Sequence, residues 1–183
     1  MKIAIISDIH DNIPNLKKVL DYCNDKISAS RRIEKIICCG DLASLETLDY
    51  LNDHFAGEIF FVFGNMDNGY LKNYPFVDNQ YKNTKIFKDF GEIEVENNPV
   101  KSSNHGARKI AFVHFQKEAI ELCHTGNYDF VFHGHTHKPW TEIINNCTLL
   151  NPGNVANQIF PPTFATWDIK QNKFDLIRIN ELE

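Results

Sequence analysis

Three short apolar runs, each ending abruptly in a polar motif, constrain this chain more than any other feature. Residues 2–7 lead into Asp8, Lys35-Ile36-Ile37-Cys38-Cys39 into Gly40-Asp41, and Glu58-Ile59-Phe60-Phe61-Val62-Phe63 into Gly64-Asn65. Near-continuous apolar runs suit strands covered on both faces. Between them, residues 14–27 open with Pro14 and set Leu16, Val19, Leu20 and Cys23 on one helical face; residues 43–54 do the same with Leu45, Leu48 and Leu51. The alternation reads βαβαβ, the start of an α/β fold.

The second half has a different texture. Residues 90–96 alternate apolar with acidic side chains, as a half-buried strand does, and residues 108–113 form a strand leading into His114. Between them, residues 97–106 are rich in turn formers and read as an exposed loop. A helix over Gln116 to His124 precedes a strand at residues 128–132, which runs into Gly134-His135-Thr136-His137. Residues 140–150 suggest a hairpin across Asn145-Asn146, and residues 163–179 another across Gln171-Asn172.

At 183 residues the chain can bury one sizeable core but is short for two full-sized catalytic domains, so one domain over residues 1–183 is expected. A net charge of -5 disfavours broad attraction to nucleic-acid backbone. No apolar stretch approaches the roughly 20 residues of a membrane span. The N-terminal apolar run is ended by Asp8 and lacks a small-residue cleavage site, so it reads as a strand and the expected location is cytoplasmic. The five Cys include no C-x-x-C pair and are expected to be buried free thiols. There is no G-x-x-x-x-G-K-[ST] phosphate loop and no G-x-S-x-G nucleophile elbow.

The chemistry collects where strands end. Asp8 and His10 follow the first strand, Asp41 the second and Asn65 the third, so three consecutive strands deliver candidate ligands to one edge. His114 ends a later strand, and His135 and His137 have the period-two spacing that points both rings one way on an extended segment. Counting converging groups gives Asp8, His10, Asp41 and His137 for one cation, and Asp41, Asn65, His114 and His135 for another, with Asp41 bridging. Two ions about 3.5–4 Å apart need a shared anionic ligand and clamp both oxygens of an in-line phosphoryl displacement, with a bridging hydroxide as nucleophile. Oxygen and imidazole donors without thiolate suit Mn²⁺, Fe or Zn²⁺.

Asp8-Ile9-His10, Gly40-Asp41, Gly64-Asn65, His114 and Gly134-His135-Thr136-His137 stand in the order of the calcineurin-like metallophosphoesterase motifs. Ser7 to Asn12 and Asn151-Pro152-Gly153-Asn154 further resemble the small YfcE-type phosphodiesterase branch. The resemblance implies a four-layer αββα sandwich, mixed β-sheets flanked by helices. It also implies two divalent cations, Mn²⁺ first with Fe, Zn or Ni as alternatives, and hydrolysis of small phosphodiesters, with a homodimer as a further option. A phosphomonoesterase, a dinucleoside polyphosphate hydrolase, or a non-catalytic scaffold resembling the retromer subunit of this fold are the alternatives.

Three residues depart from the family pattern. Met66 stands where many members carry a proton-donating His after Gly-Asn, and a thioether donates no proton. That favours diesters and good leaving groups. Phe115 and Asp11 replace glycines, the first expected to narrow the cleft and the second to add negative charge near a phosphate. Asn12, Asp67 and Asn154 are candidate substrate contacts, with plain turn or cap roles as the alternative. His133 is expected to be packed and hydrogen-bonded, His54 and His105 to lie at the surface, and His124 to favour the dipole at the end of its helix.

Overall fold

A computed structural model describes residues 1–25, 32–76, 80–96 and 107–183. The loop expected over residues 97–106, with His105, lies outside the described residues, as does the end of the expected helix 14–27. In chain order the elements are β1 (Lys2–Ile6), α1 (Ile13–Cys23), β2 (Lys35–Cys38), α2 (Leu45–His54), β3 (Glu58–Val62), β4 (Thr84–Phe87), β5 (Gly91–Val95) and β6 (Arg108–Phe112). They continue with α3 (Gln116–His124), β7 (Phe130–Phe132), β8 (Trp140–Ile144), β9 (Cys147–Asn151), β10 (Thr163–Asp168) and β11 (Lys173–Arg178). Short 3₁₀ turns occupy Met66–Asn68 and Ile179–Glu181.

The strands form two sheets, in the orders β11-β10-β1-β2-β3-β4 and β5-β6-β7-β9-β8. The run β1-β2-β3-β4 is parallel, whereas β10 and β11 join antiparallel beside β1. In the second sheet β6, β7 and β9 are parallel and β5 and β8 are antiparallel edges. Both sheets are therefore mixed.

Side-chain alternation then sorts the chain into four layers. On β1 to β3, Ala4, Ile6, Ile36, Cys38, Ile59 and Phe61 face one way and pack against Leu16, Val19 and Leu20 of α1 and Leu48 and Leu51 of α2. Their neighbours Ile3, Ile5, Ile37, Phe60 and Val62 face the other way, meeting Ile110, Phe112, Phe130, Phe132 and Leu150 of the second sheet. Trp167 of β10 is fully buried between the sheets and stacks on Phe174, ring centroids 5.3 Å apart. The outer face of the second sheet, Ala111, Val131 and Leu149, is closed by Ala119 and Cys123 of α3. Each such large apolar side chain, once buried, contributes about 1.5–3 kcal/mol. The order of layers is α, β, β, α, as the sequence resemblance implied.

Local signals set the boundaries. Asn12 caps α1, its Oδ1 accepting the Asn15 N–H at 3.1 Å, with proline in the first turn. Ser44 caps α2 by accepting the Thr47 N–H at 3.2 Å. The expected hairpin across Asn145-Asn146 forms with both residues at positive φ, +49° and +67°, the conformation a two-residue turn of this hand requires. All five cysteines are buried and free. No helix among the described residues is long and apolar enough to cross a membrane.

One topological fact positions the site. The candidate ligands follow β1, β2, β3, β6 and β7, and all five are interior strands with a hydrogen-bonded neighbour on each side.

Candidate metal centre

Beyond the end of β1 the chain is zipped to the loop beyond β2. The N–H groups of Ile9 and His10 both donate to the Asp41 carbonyl, at 2.9 and 3.0 Å, and Asp8 N–H donates to the Gly40 carbonyl at 3.0 Å. This docking forces left-handed backbone on Asp8, His10, Asp11 and Asp41, and the same holds at His135 and His137. Asp and His tolerate this region better than most residues, yet such conformations cost on the order of 1–3 kcal/mol each and concentrate at functional sites. Because His135 and His137 are left-handed, the expected extended geometry is absent there. Their rings diverge, His137 toward Asp8 and His10, His135 toward His114 and Phe115.

The side chains that converge are Asp8, His10, Asp41, Asn65, His114 and His137. Asp8 Oδ1 lies 3.2 Å from His137 Nε2 and 3.8 Å from His10 Nε2. The two imidazoles present Nε2 atoms to each other at 3.3 Å. Asp41 Oδ2 stands between the two groups, 3.7 Å from His10 Nε2 and 3.3 Å from His114 Nε2. Its other oxygen is held by the Met66 N–H at 2.8 Å. Asn65 Oδ1 lies 3.1 Å from His114 Nε2. Among the described residues, two sets of donor atoms are close enough to hold an ion: Asp8, His10 and His137, and Asp8, Asp41 and His114. The His135 ring is solvent-exposed and belongs to neither set, although its N–H donates to Asp8 Oδ2 at 3.0 Å.

Electrostatics fits a cation. Asp8 Oδ1 is buried with no hydrogen-bond partner among the described residues, a costly state for a carboxylate unless positive charge is supplied. Burial would raise the Asp8 pKa, but His10 and His137 together hold the carboxyl well below its usual range. Burial would likewise lower that of His114, yet hydrogen bonding to Asp41 carries it above the ordinary imidazole value. His137 is raised chiefly by Asp8. His135 is lowered by burial and by its neighbour His114. The Nδ1 atoms of His114 and His137 face the carbonyls of Cys39 and Gln158, at 2.8 and 3.2 Å, which leaves each Nε2 aimed at the centre. These donors, three carboxylate or amide oxygens and three imidazoles without thiolate, suit a first-row divalent ion.

The three candidate substrate contacts are occupied by backbone. Asp67 is fully buried; its Oδ2 accepts N–H groups of Asp41 and Gly64 at 2.8 and 2.7 Å, and its Oδ1 that of Ala43 at 2.8 Å. Asn154 is also fully buried, donating to the carbonyls of His137 and Phe160 and accepting from Gln158 N–H. Asn12 caps α1 and donates to the Ala156 carbonyl at 2.9 Å. Asp11 is turned away from the centre and accepts the hydroxyls of Ser44 and Thr47, both at the start of α2.

Sequence reasoning passed over Asn151, the last residue of β9. Its amide donates to the Gly134 carbonyl at 2.8 Å and to Thr136 Oγ1 at 3.0 Å, while its Oδ1 accepts the Gly153 N–H, so it anchors the His135-His137 loop. The available signal was its place at the head of Asn-Pro-Gly-Asn directly after a strand. Gly64 and Gly134 are required by crowding: a Cβ at the first would collide with the Asp41 carboxylate and at the second with Ser7 Oγ. His133 is fully buried with Nδ1 on the Gly134 carbonyl at 3.0 Å, while His54 is exposed and stacks on Tyr50. His124 sits in the last turn of α3, as expected. A cavity of about 540 Å³ opens beside the centre and shares Gly64 and His114 with it.

Residues 1–172 match the calcineurin-like phosphoesterase superfamily domain. Phosphodiesterase MJ0936 of Methanocaldococcus jannaschii is 27% identical over 175 residues, covering 95% of this chain and 96% of that protein. The solved structure of a novel archaeal phosphodiesterase superposes with a TM-score of 0.75 at 28% identity, over 97% of this chain and 99% of that one. Vacuolar Protein Sorting 29 from Cryptosporidium parvum shares the fold, with a TM-score of 0.63 at 18% identity over 96% and 95% of the two chains. The chain, with its Asp and His side chains gathered at one end of two packed sheets, belongs to the calcineurin-like phosphoesterase superfamily.

Proposed function

We propose that this chain is a metal-dependent phosphodiesterase acting on small diesters, with two divalent cations, Mn²⁺ by preference. Asp8, His10, Asp41 and His137 would hold one, and Asp41, Asn65, His114 and His135 the other. The observation that carries the reading is the buried, unpartnered Asp8 Oδ1 facing the Nε2 atoms of His10 and His137, with Asp41 Oδ2 between His10 and His114. The phosphodiesterase name of the 27% identical relative supports it. When bound, the cations supply the positive charge that offsets the phosphoryl oxygens and acidifies a water into a nucleophile at neutral pH.

The chain's own residues do the positioning. Asp67 ties the loop 41–43 to Gly64, so that Asp41 and Asn65 keep a fixed separation. With both oxygens engaged, it is a positioning residue and not a proton donor. The Cys39 and Gln158 carbonyls fix the ring orientations of His114 and His137. Asn151 and the Asp8 carboxylate hold the His135 loop against the end of β1. Met66, 53% exposed beside Asp41 and Asn65, gives the departing oxygen no proton, so the substrate must carry a leaving group that departs as an anion. Diesters and activated esters meet this demand better than simple alkyl monoesters.

The test is turnover of bis(p-nitrophenyl) phosphate and p-nitrophenyl phosphate by chelator-treated protein before and after Mn²⁺ addition. Metal-restored hydrolysis with the diester preferred is expected. A faster monoester would convert the assignment to a phosphomonoesterase. Absence of metal uptake would favour a scaffold role.

A further inference from the structure

Two thiols meet where the last turn of α3 passes over the start of β9. Cys123 Sγ and Cys147 Sγ lie 2.7 Å apart, and both side chains are fully buried. The residues are 24 positions apart in sequence, so tertiary packing and not chain continuity brings them together. Ala119, one turn earlier on α3, packs with Cys123 onto Ala111, Val131 and Leu149 of the second sheet, which seats the helix. A second contact joins the same two ends, Asn145 Nδ2 lying 3.1 Å from His124 Nδ1. The helix terminus and the β8–β9 turn are therefore docked on each other, with the sulfurs face to face beneath them.

The other three cysteines show what sets this pair apart. Cys38 and Cys39 are neighbours on β2 but face opposite sides of the sheet, Cys38 toward the helices and Cys39 toward the second sheet. Burial pushes the thiols of Cys23, Cys38 and Cys39 up, which keeps them protonated and unreactive. At Cys123 the hydrogen bond with Cys147 outweighs burial and lowers the thiol, whereas Cys147 is raised by Cys123 and then by burial. Cys123 is thus the sulfur that ionises and Cys147 the one that keeps its proton.

Exposed residues flank both members. Residues 124–127 follow Cys123 and Asn145 and Asn146 precede Cys147, all in solvent, and β8, which pairs with β9 here, is a sheet edge. Helix ends and edge hairpins open locally without global unfolding, which admits an oxidant little larger than water.

We propose that Cys123 and Cys147 form a modification site, at which a small hydroperoxide such as hydrogen peroxide converts the two thiols to a reversible disulfide that staples α3 to β9. The Cys123 thiolate attacks one peroxide oxygen, the O–O bond breaks, and the departing hydroxide recovers the proton Cys123 had released and leaves as water. Cys123 is then a sulfenic acid. The Cys147 sulfur attacks it, the S–S bond forms, the S–O bond breaks, and the hydroxyl leaves as water with the Cys147 proton. Two thiols and one hydrogen peroxide give one disulfide and two waters, the sulfurs oxidised and the peroxide oxygens reduced. Cys147 begins β9 and Asn151 ends it, so the staple closes at the end of the strand remote from the metal centre, and its effect is on stability. It ties residues 123–147 into a closed loop in the unfolded chain.

The test treats the folded full-length chain with equimolar hydrogen peroxide, quenches with catalase, alkylates the remaining thiols in denaturant and maps the peptides by mass spectrometry. Two of the five thiols should be lost, a Cys123–Cys147 linked peptide should appear, and dithiothreitol should reverse both. The oxidised protein should melt about 5–10 °C above the reduced one. In Cys147→Ser, dimedone should trap a sulfenic acid on Cys123 and the rise in melting temperature should vanish. Should that variant not fold, the peptide map and melts of the unmodified chain decide alone. A link between other cysteines, sulfinic acid without the linked peptide, a disulfide that forms only in denaturant, or a linked peptide with the melting temperature unchanged or lowered overturns the assignment.

Discussion

Around Asp8, the side chains of His10 and His137 press on one buried carboxylate, and the nitrogen and oxygen atoms lie 3.2 to 3.8 Å apart. Around His114 the donor atoms are as close, Asn65 Oδ1 at 3.1 Å and Asp41 Oδ2 at 3.3 Å, but the group is open at its edge. Asn65 is half-buried, the His135 ring stands in solvent, and the large cavity opens alongside. The first group is assembled by loops that hydrogen-bond to one another, the 8–11 segment on the 40–42 segment. In the second group the ring of His135 packs against two other rings, His114 and Phe115. A preorganised donor set binds an ion without further ordering of side chains, whereas an open one must recruit them. With the His135 ring outside the tight cluster, the firmer hold is expected on the Asp8 side and the substrate entrance on the His114 side.

The harshest way to break this comparison is to remove the residue common to both groups. Asp41→Ala should lower metal-stimulated diester turnover by about a thousandfold or more in steady-state assays, since neither group stays complete. Unchanged turnover would remove Asp41 as the shared ligand. Next in size is the contrast between His137→Ala and His135→Ala. Metal analysis after dialysis should find His137→Ala short of its tightly held ion, while His135→Ala keeps that ion and weakens only the more labile one. Equal losses would erase the distinction.

Smaller effects come from residues that hold the ligand-bearing loops without supplying a ligand atom. Asn151→Ala, which releases the Gly134 and Thr136 contacts, and Asp67→Asn should each reduce metal affinity or activity by about 10- to 100-fold. The Asp67 change should weaken the His114 side more, because Asp67 holds Gly64 next to Asn65. The mildest is a dependence on pH. In the metal-free protein His137 and His114 are raised, so their contribution to stability is full below the unfolded imidazole value of about 6.5 and is lost as pH rises through their folded values. Asp8 is depressed, so its contribution is present above the unfolded value of about 3.9 and is lost as pH falls through its folded one. Thermal melts of apoprotein should show this contribution at its fullest between those limits. Metal-induced stabilisation should grow as pH rises toward the folded values of His114 and His137, because an ion displaces protons from the same imidazoles. A melting shift on Mn²⁺ addition that is flat from pH 5 to 8 would contradict this.

The parallel core was legible because its signals are local. Apolar runs ending at Asp8, Gly40 and Gly64 mark β1, β2 and β3, and pairing shifts none of them. What was not legible depends on contacts distant in sequence. Nothing in residues 163–168 announces that β10 lies beside β1, and β4 carries too short an apolar pattern to reveal itself as the sheet's other edge. At the site, period-two spacing implied extended backbone through His135 and His137, but docking of this loop on Asp8 and Asn151 imposes left-handed turns. Asn12, Asp67 and Asn154 resemble phosphate contacts by residue type alone. Their backbone partners lie mostly in other loops, which composition cannot disclose.

The interior position of β1, β2, β3, β6 and β7 has a consequence for exchange. Every ligand-bearing loop is anchored to a strand paired on both sides, so none of them hangs from a sheet edge, where local opening is easiest. Amide protons flanking Asp8, Asp41 and His114 should report the slowest opening in the molecule, and ions should leave through the cavity side while the backbone stays closed.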